Sequence, residues 1–334
     1  MEKSLVGKLS VCLIIKNEEK NLPDCLESIK NIADEIIVCD TGSDDNSIAI
    51  AEKFGSKIVH FKWNGSFADA RNYSIAAASS NWILWIDADE RLPQASVLEI
   101  KKIISNKGSV ATAFRVSIHN FKKQGEYFYL STAHRLFPNH FNISFSGMIH
   151  EQISPSVSQL NGKEIMTTII IEHFGYDLSP VQMQKKYKRN LEILLNNLAK
   201  GPESSYLIYN IAKQYALLED YETAVKYFLW ALKQNDLEKY MKVSLLNSLA
   251  ESYYYLKNYK KLRKIIEQSI KLYDHQAAAY YLLYSLEKSL AHWELAESAL
   301  NILEKNTEWI RKNNSPLSNE ILLKTSFFQQ EKAE

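Results

Sequence analysis

Two rhythms of apolar and polar positions run along this chain. In the first half, short apolar runs end in polar clusters. Leu9–Ile15, Glu35–Cys39, Lys57–His60 and Trp82–Ile86 are runs of this kind and predict buried strands. Helical patterns lie between them, over Leu22–Ile29, Ser47–Phe54 and Phe67–Ala78. Strands and helices alternating at this pitch predict right-handed βαβ units and a mostly parallel sheet. Past Arg91 longer, partly alternating runs over Ala111–Asn120 and Tyr127–Phe137 predict further strands, with short ones near Phe141–Phe145 and Thr167–Ile171.

From Ser179 onward the pattern is helical almost throughout, with a break at Lys200-Gly201-Pro202. Beyond the break it repeats. Ile208, Ile211, Ala212, Tyr215, Ala224, Phe228, Ala231 and Asp236 fit one tetratricopeptide unit. Leu246, Leu249, Ala250, Tyr253, Leu262, Ile266, Ser269 and Asp274 repeat those positions, and Tyr280, Leu283, Tyr284, Ala296 and Leu300 make a degenerate third copy. Small residues at Ala212, Ala224 and Ala250 let paired helices come close. Such units stack into a curved array with a concave face. That face either binds a peptide, or braces the first domain, or makes a homodimer contact. The expected domains are residues 1–178, a linking helix over 179–200, and the repeats over 201–334.

Composition narrows the partners. Among 334 residues, 46% are hydrophobic and 24% charged, with a net charge of +1, so no nucleic-acid partner is expected. No apolar run reaches the length of a transmembrane segment, and the first residues lack the apolar core of a signal peptide. Three cysteines, Cys12, Cys25 and Cys39, cannot all pair and match no metal spacing. A reducing, cytoplasmic location is the expectation.

The chemistry gathers where strands end. Asp87-Ala88-Asp89 follows the Trp82–Ile86 run, Asn17-Glu18 the first strand and Asp40 the second. Ligands of open α/β sheets bind beyond the carboxyl ends of the strands. The period-two alternation of a strand predicts Asp87 and Asp89 on one side. Paired carboxylates at such an edge suit Mg²⁺ or Mn²⁺ shared with a phosphate, or else merely cap the next helix. Neither a Gly-x-Gly-x-x-Gly nor a Gly-x-x-x-x-Gly-Lys loop is present, so phosphate charge needs a metal and basic side chains such as Arg71. Downstream, His150-Glu151 and His173 are candidates for proton transfer or metal binding.

Five segments in order carry a family resemblance: Ile15-Lys16-Asn17-Glu18-Glu19, Val38 to Asp45, Phe67 to Asn72, Trp85 to Glu90, and Gly147-Met148-Ile149-His150-Glu151. From about Leu9 to Tyr176 the chain resembles a family 2 glycosyltransferase of the GT-A fold, an α/β, Rossmann-like domain with a mixed, mostly parallel sheet. The helical second half resembles the subgroup with tetratricopeptide repeats, which includes the sublancin-type peptide S-glycosyltransferases. The resemblance implies an inverting, metal-dependent transfer from a nucleotide sugar, a UDP-sugar first of all, to a peptide or protein. In the sublancin-type subgroup the acceptor is a cysteine thiol of a ribosomal antimicrobial peptide.

It also implies a donor pocket of Ile15, Asn17, Glu18, Asp40, Ser43, Arg71, Asp87, Ala88 and Asp89. In it Asp40 contacts the base, Asp87 the ribose or sugar, and Arg71 the sugar or pyrophosphate. Asp89 is the implied ligand of Mg²⁺ or Mn²⁺ and His173 an added one. Glu151, His150 and Asp87 are the implied catalytic group. The Gln-x-x-Arg-Trp signature that accompanies the base in many relatives is absent. Two other functions fit the same residues: transfer to a cell-envelope saccharide, and a non-catalytic repeat scaffold carrying a relic sheet.

Overall fold

The structure, a computed structural model, describes residues 7–106, 110–121, 127–147, 149, 151–175, 179–201, 203–234, 236–313 and 317. The chain divides into two compact units, Met1–Asp177 and Leu178–Glu334.

Among the described residues, the first unit is built on one eight-stranded sheet. Its strands are β1 (Leu9–Ile15), β2 (Glu35–Asp40), β3 (Lys57–His60), β4 (Trp82–Trp85), β5 (Glu90–Arg91), β6 (Thr112–Phe121), β7 (Tyr127–Pro138) and β8 (Lys163–His173). The helices are α1 (Leu22–Ile29), α2 (Ser47–Lys53), α3 (Phe67–Ala76), α4 (Gln94–Ile104) and α5 (Ser154–Gln159). The strand order is β3-β2-β1-β4-β7-β6-β8-β5. The first four strands are mutually parallel, β7 runs antiparallel to β4 and β6, and β8 is parallel to β6. This is the mixed, mostly parallel sheet expected. The chain order turns back between β1 and β4, and in open sheets that switch point opens a crevice at the strands' carboxyl ends.

Burial on both faces explains why the early strands read as continuous apolar runs. In β1, Leu9, Val11, Leu13 and Ile15 enter one core, while Cys12 enters the other. In β4, Trp82 and Leu84 go one way, Ile83 and Trp85 the other. Alternation therefore sends Trp85 toward the face that also buries Ala68 and Ile75 of α3. All three cysteines are free and buried.

One strand expectation for this unit needs correction. Phe141–Phe145 is no strand: Asn139–Phe141 is a turn of 3-10 helix, and Ser146 makes only an isolated bridge to Gln152. Phe145 instead anchors to α3, its N–H donating to Asn72 Oδ1 and its C=O accepting from Asn72 Nδ2. An apolar run can be buried through side chains on a neighbouring helix as well as through a ladder. The helices α4 and α5 were also not anticipated. Residues of α4 such as Val97, Ile100 and Ile104 enter the larger core.

The second unit is helical: α6 (Pro180–Lys200), α7 (Ser205–Leu217), α8 (Tyr221–Gln234), α9 (Lys239–Tyr255), α10 (Tyr259–Leu272), α11 (Ala278–Ser289) and α12 (Trp293–Asn313). Ser179 and Gln182 form a capping box that starts α6. The repeat positions form the core, with Ile208, Ala212, Ala224, Phe228 and Ala231 packed with Leu249, Ala250, Leu262 and Ile266. The backbone repeats as well. Glu219, Lys257 and Ala291 all take positive φ, at 66°, 53° and 56°. In each case the next residue's N–H closes on a carbonyl five positions back: Asp220 on Tyr215, Asn258 on Tyr253, His292 on Glu287. This left-handed helix ending turns the chain back. Its presence at Ala291 shows that the third, degenerate copy keeps the repeat geometry.

Candidate active site

β1 and β2 end level with one another, Ile15 pairing with Asp40, so the loops that follow them meet. Asn17 takes φ 58°, its N–H donates to Ser43 Oγ at 3.0 Å, and its Oδ1 accepts from the Asp44 N–H at 2.9 Å. The Glu18 N–H donates to Ser47 Oγ at 2.7 Å, and the Glu19 N–H to Asp45 Oδ2 at 3.1 Å. Asp40 is buried, and its two oxygens accept the N–H groups of Gly42 and Ser43 at 3.1 and 3.0 Å. Gly42 has φ 108°, a conformation open to glycine. Asp40 thus first shapes its own turn. Each carboxylate oxygen keeps a further lone pair for a ligand. Ile15 is buried, and its carbonyl accepts from both the N–H and the hydroxyl of Thr41.

β4 stops at Trp85, before the acidic cluster. The alternation expected to carry Asp87 and Asp89 to one side does not apply there. A turn closed by the Glu90 N–H on the Asp87 carbonyl, at 3.0 Å, gives the two carboxylates different partners. Asp87 Oδ1 accepts from Arg71 Nη2 at 2.9 Å, and Arg71 Nε donates to Glu151 Oε1 at 2.5 Å. One guanidinium so joins α3, the end of β4 and the segment before α5. Arg71 and Arg135 both lie over the Trp85 indole, 3.8 and 3.5 Å from its centre. Ala88 is buried between the two acids, its carbonyl accepting from Arg91.

Asp89 faces β8. His173 Nε2 lies 3.3 Å from Asp89 Oδ2, and His173 Nδ1 is 2.6 Å from Asn120 Oδ1. A Cβ added at Gly175 would fall 2.2 Å from Asp89 Oδ2 and 2.5 Å from His173 Nε2. His150 lies outside the described residues.

The charges respond to this crowding. Burial raises the Asp87 carboxyl, yet Arg71 and then Arg135 outweigh it and hold Asp87 far below the usual carboxylate range. Arg71 is held firmly protonated by Asp87 and Glu151 against the cost of its own burial. Burial pushes Glu90 up to about 7, although Arg135 pulls it down. Burial, followed by the charges of Asp89 and Asp87, raises Glu18 despite a hydrogen bond from Asn21. For His173 burial acts downward, but Asp89 overcomes it and the net direction is up.

The donor set fits Mg²⁺ or Mn²⁺. Carboxylates of Glu18, Asp87 and Asp89 crowd one edge, and a cation relieves that repulsion. With Nδ1 turned to Asn120, His173 presents Nε2 toward Asp89, the tautomer a metal-binding imidazole needs. Among the described residues no group of three His, Cys, Asp or Glu surrounds a common point. Such ions need only one or two protein ligands when substrate phosphates and water complete the shell.

Residues 10–166 match the family model described as "Glycosyl transferase family 2". The chain carries a family 2 glycosyltransferase domain. It is 34% identical over 251 residues to a TPR repeat-containing protein of Synechococcus elongatus, covering 73% of this chain and 61% of that one. It is 28% identical over 228 residues to the SPbeta prophage-derived glycosyltransferase SunS of Bacillus subtilis, covering 68% of this chain and 53% of SunS. A glycosyltransferase of Rickettsia typhi is 26% identical over 290 residues, covering 85% of this chain and 95% of that protein. The chain therefore spans little more than half the length of the first two relatives.

Of the residues singled out in the sequence, the structure brings Arg71, Asp87 and Glu151 together and pairs Asp89 with His173, while Asp40 stands in the loops after β1 and β2. The motifs missed Glu90, Asn120, Arg135 and Gly175. Arg135 did leave a signal, a lone cation inside the apolar strand run Ala133-His134-Arg135-Leu136-Phe137. Asn120 left none, because an amide at a strand end resembles any turn residue.

Proposed function

We propose that this protein is an inverting, metal-dependent glycosyltransferase that moves a sugar from a UDP-sugar to a peptide or protein, with a cysteine thiol as the favoured acceptor. The observation that carries this reading is the meeting of Asp87, Arg71 and Glu151 beside the Asp89–His173 pair, at the strand ends where a family 2 domain would hold its donor.

In this reading Asp40 and the Asn17–Ser43 loop hold the base and ribose. Ile15, Glu18 and Ala88 line the pocket. Asp89 and His173 hold Mg²⁺ or Mn²⁺, which would neutralise the developing charge of the leaving diphosphate. Asp87, kept anionic by Arg71, orients the sugar hydroxyls, and Arg71 adds positive charge toward the phosphates. Glu151 receives the acceptor proton on the face opposite the leaving group, with His150 beside it in sequence. A single displacement of this kind inverts the anomeric centre.

The thiol acceptor is favoured by the state of Glu151. One of its oxygens is already bound to Arg71 at 2.5 Å, which leaves a half-engaged base. A well-placed general base contributes about 10²–10⁴-fold. A cysteine, with a free pKa of about 8.5, depends on that help less than a hydroxyl does. The likeness to glycosyltransferase SunS and to a TPR repeat-containing protein is in keeping with the sublancin-type resemblance on which the peptide acceptor is proposed. A domain boundary near residue 178, a catalytic unit before it, and a cytoplasmic location belong to the same proposal. Among the described residues no helix is long and apolar enough to cross a membrane.

The deciding experiment incubates the purified protein with a panel of nucleotide sugars, with and without Mn²⁺, and follows donor hydrolysis. UDP-sugar hydrolysis that needs the metal and is lost in Asp40→Ala supports the reading. No turnover or binding of any nucleotide sugar overturns it in favour of a scaffold. Faster transfer to a saccharide than to cysteine-containing peptides moves the acceptor to the cell envelope.

A further inference from the structure

Between Asp87 and Glu90 the chain is closed into a ring by a residue from another strand. The Asp87 N–H donates to Glu90 Oε2 at 2.8 Å. Glu90 Oε1 accepts from Arg135 Nη2 at 2.6 Å. Arg135 Nη1 then faces Asp87 Oδ2 at 3.6 Å, too far for a hydrogen bond but close enough for strong attraction. Arg135 and Glu90 are 4% and 2% exposed, and the guanidinium is stacked on Trp85. Trp85 is itself pinned by its indole N–H to the His134 carbonyl at 2.7 Å. Among the described residues, Arg135 Nε and Nη1 have no hydrogen-bond partner. A buried cation with unused donors is costly to keep unless its charge is needed where it stands.

We propose that Arg135, through Glu90, is a positioning residue that sets the Asp87-Ala88-Asp89 turn for the donor. The inference rests on the reading of Asp87 and Asp89 as donor and metal contacts. Glu90 fixes the backbone of the turn, and Arg135 fixes Glu90. Arg135 also attracts the Asp87 oxygen that Arg71 leaves unbound. The turn contributes no strand pairing between Asp87 and Asp89. The ring therefore supplies the restraint that a ladder would otherwise give.

The test uses the full chain with Arg135→Met, Glu90→Gln and the pair together. Thermal unfolding reports stability, and calorimetry with UDP and Mn²⁺ reports binding. Each single change leaves one buried partner unmatched and lowers the melting midpoint. The pair removes both charges together and restores most of the midpoint. If the ring positions the turn, the doubly substituted protein still binds UDP–Mn²⁺ at least tenfold more weakly than the parent, and donor KM rises with it. Parental affinity in the restored double variant would make the pair purely structural and overturn the proposal. So would failure of all three variants to fold, since the pair would then be part of the core. If the parent binds no UDP, CDP or GDP with Mn²⁺, the donor-site reading fails first, and the midpoints alone then report on the ring.

Discussion

His173 Nε2 and Asp89 Oδ2 stand 3.3 Å apart, with Gly175 packed so closely that a Cβ there would meet both. They come from β8 and from the turn after β4, 84 residues apart in the chain. Asp89→Asn and His173→Ala should each weaken Mn²⁺ binding at least tenfold, because a site with two protein ligands loses half of them. Gly175→Ala should do the same without removing a ligand, since its Cβ must displace one. Manganese titration followed by electron paramagnetic resonance checks all three. An unchanged affinity in Gly175→Ala would mean that the pair does not hold the ion in this geometry.

Arg71 should be the most sensitive residue of the site. Arg71→Met removes the shared partner of Asp87 and Glu151 and leaves a largely buried Glu151 carboxylate and a partly exposed Asp87 without it. Breaking one side of a buried ion pair costs about 3–5 kcal/mol. Partial exposure of Asp87 places the expected loss near the lower figure, about 3 kcal/mol, by denaturant unfolding. Donor turnover should vanish. A loss under about 1 kcal/mol, the size of an exposed pair, would show that water screens the cluster far more than its burial implies.

Much of this was legible in the chain. β1 starts and stops where its apolar run does, because a strand buried on both faces has few polar positions to blur it. Asp40, Asp87 and Asp89 stand out in the sequence because they follow such runs at strand ends, whereas Arg71, inside α3, stands out only as a basic side chain and through the family resemblance. What escaped was tertiary. Arg135 belongs to the site because β7 pairs with β4 and sets it beside Trp85, and nothing local announces that pairing. Gly175 matters only because Asp89 comes from elsewhere to fill the space beside it. The 141–145 run misled because strand and buried loop share the same hydrophobicity, and Asn72 decides between them.

Acid should erase one contribution that lies outside the site. Glu164 Oε2 sits 3.0 Å from His134 Nε2 and 3.2 Å from Arg115 Nη2. The imidazole of His134 beside it is the main cause that brings its carboxyl down to about 2. A carboxylate depressed on folding stabilises the protein above its unfolded value, about 4.3, and the contribution fades as pH falls through the folded value. Glu164 is 40% exposed, so at most about 1 kcal/mol is at stake. Glu164→Gln should melt below the parent at pH 7, and the two curves should converge between pH 4 and 2. A gap that persists at pH 2 would assign the effect to packing or to the neutral hydrogen bond with Ser154.

The last repeat should tolerate, and reward, a glycine where its turn is left-handed. Ala291 has φ 56° and sits between α11 and α12, as Glu219 and Lys257 do in the earlier pairs. An L-residue in this conformation costs about 1–2 kcal/mol, because Cβ crowds the following carbonyl. Glycine avoids the clash but gives the unfolded chain more freedom, which takes back about 0.5–1 kcal/mol. Ala291→Gly should therefore stabilise the helical unit by about 0.5–1 kcal/mol in denaturant unfolding. Ala250→Gly gives the contrast. That residue is buried in the middle of α9 with ordinary helical backbone, so the same change should destabilise by at least about 1 kcal/mol. If both substitutions destabilise equally, Ala291 is not strained. The recurring turn would then owe its shape to the packing of α11 against α12 alone, with no contribution from the backbone bond that closes His292 on Glu287.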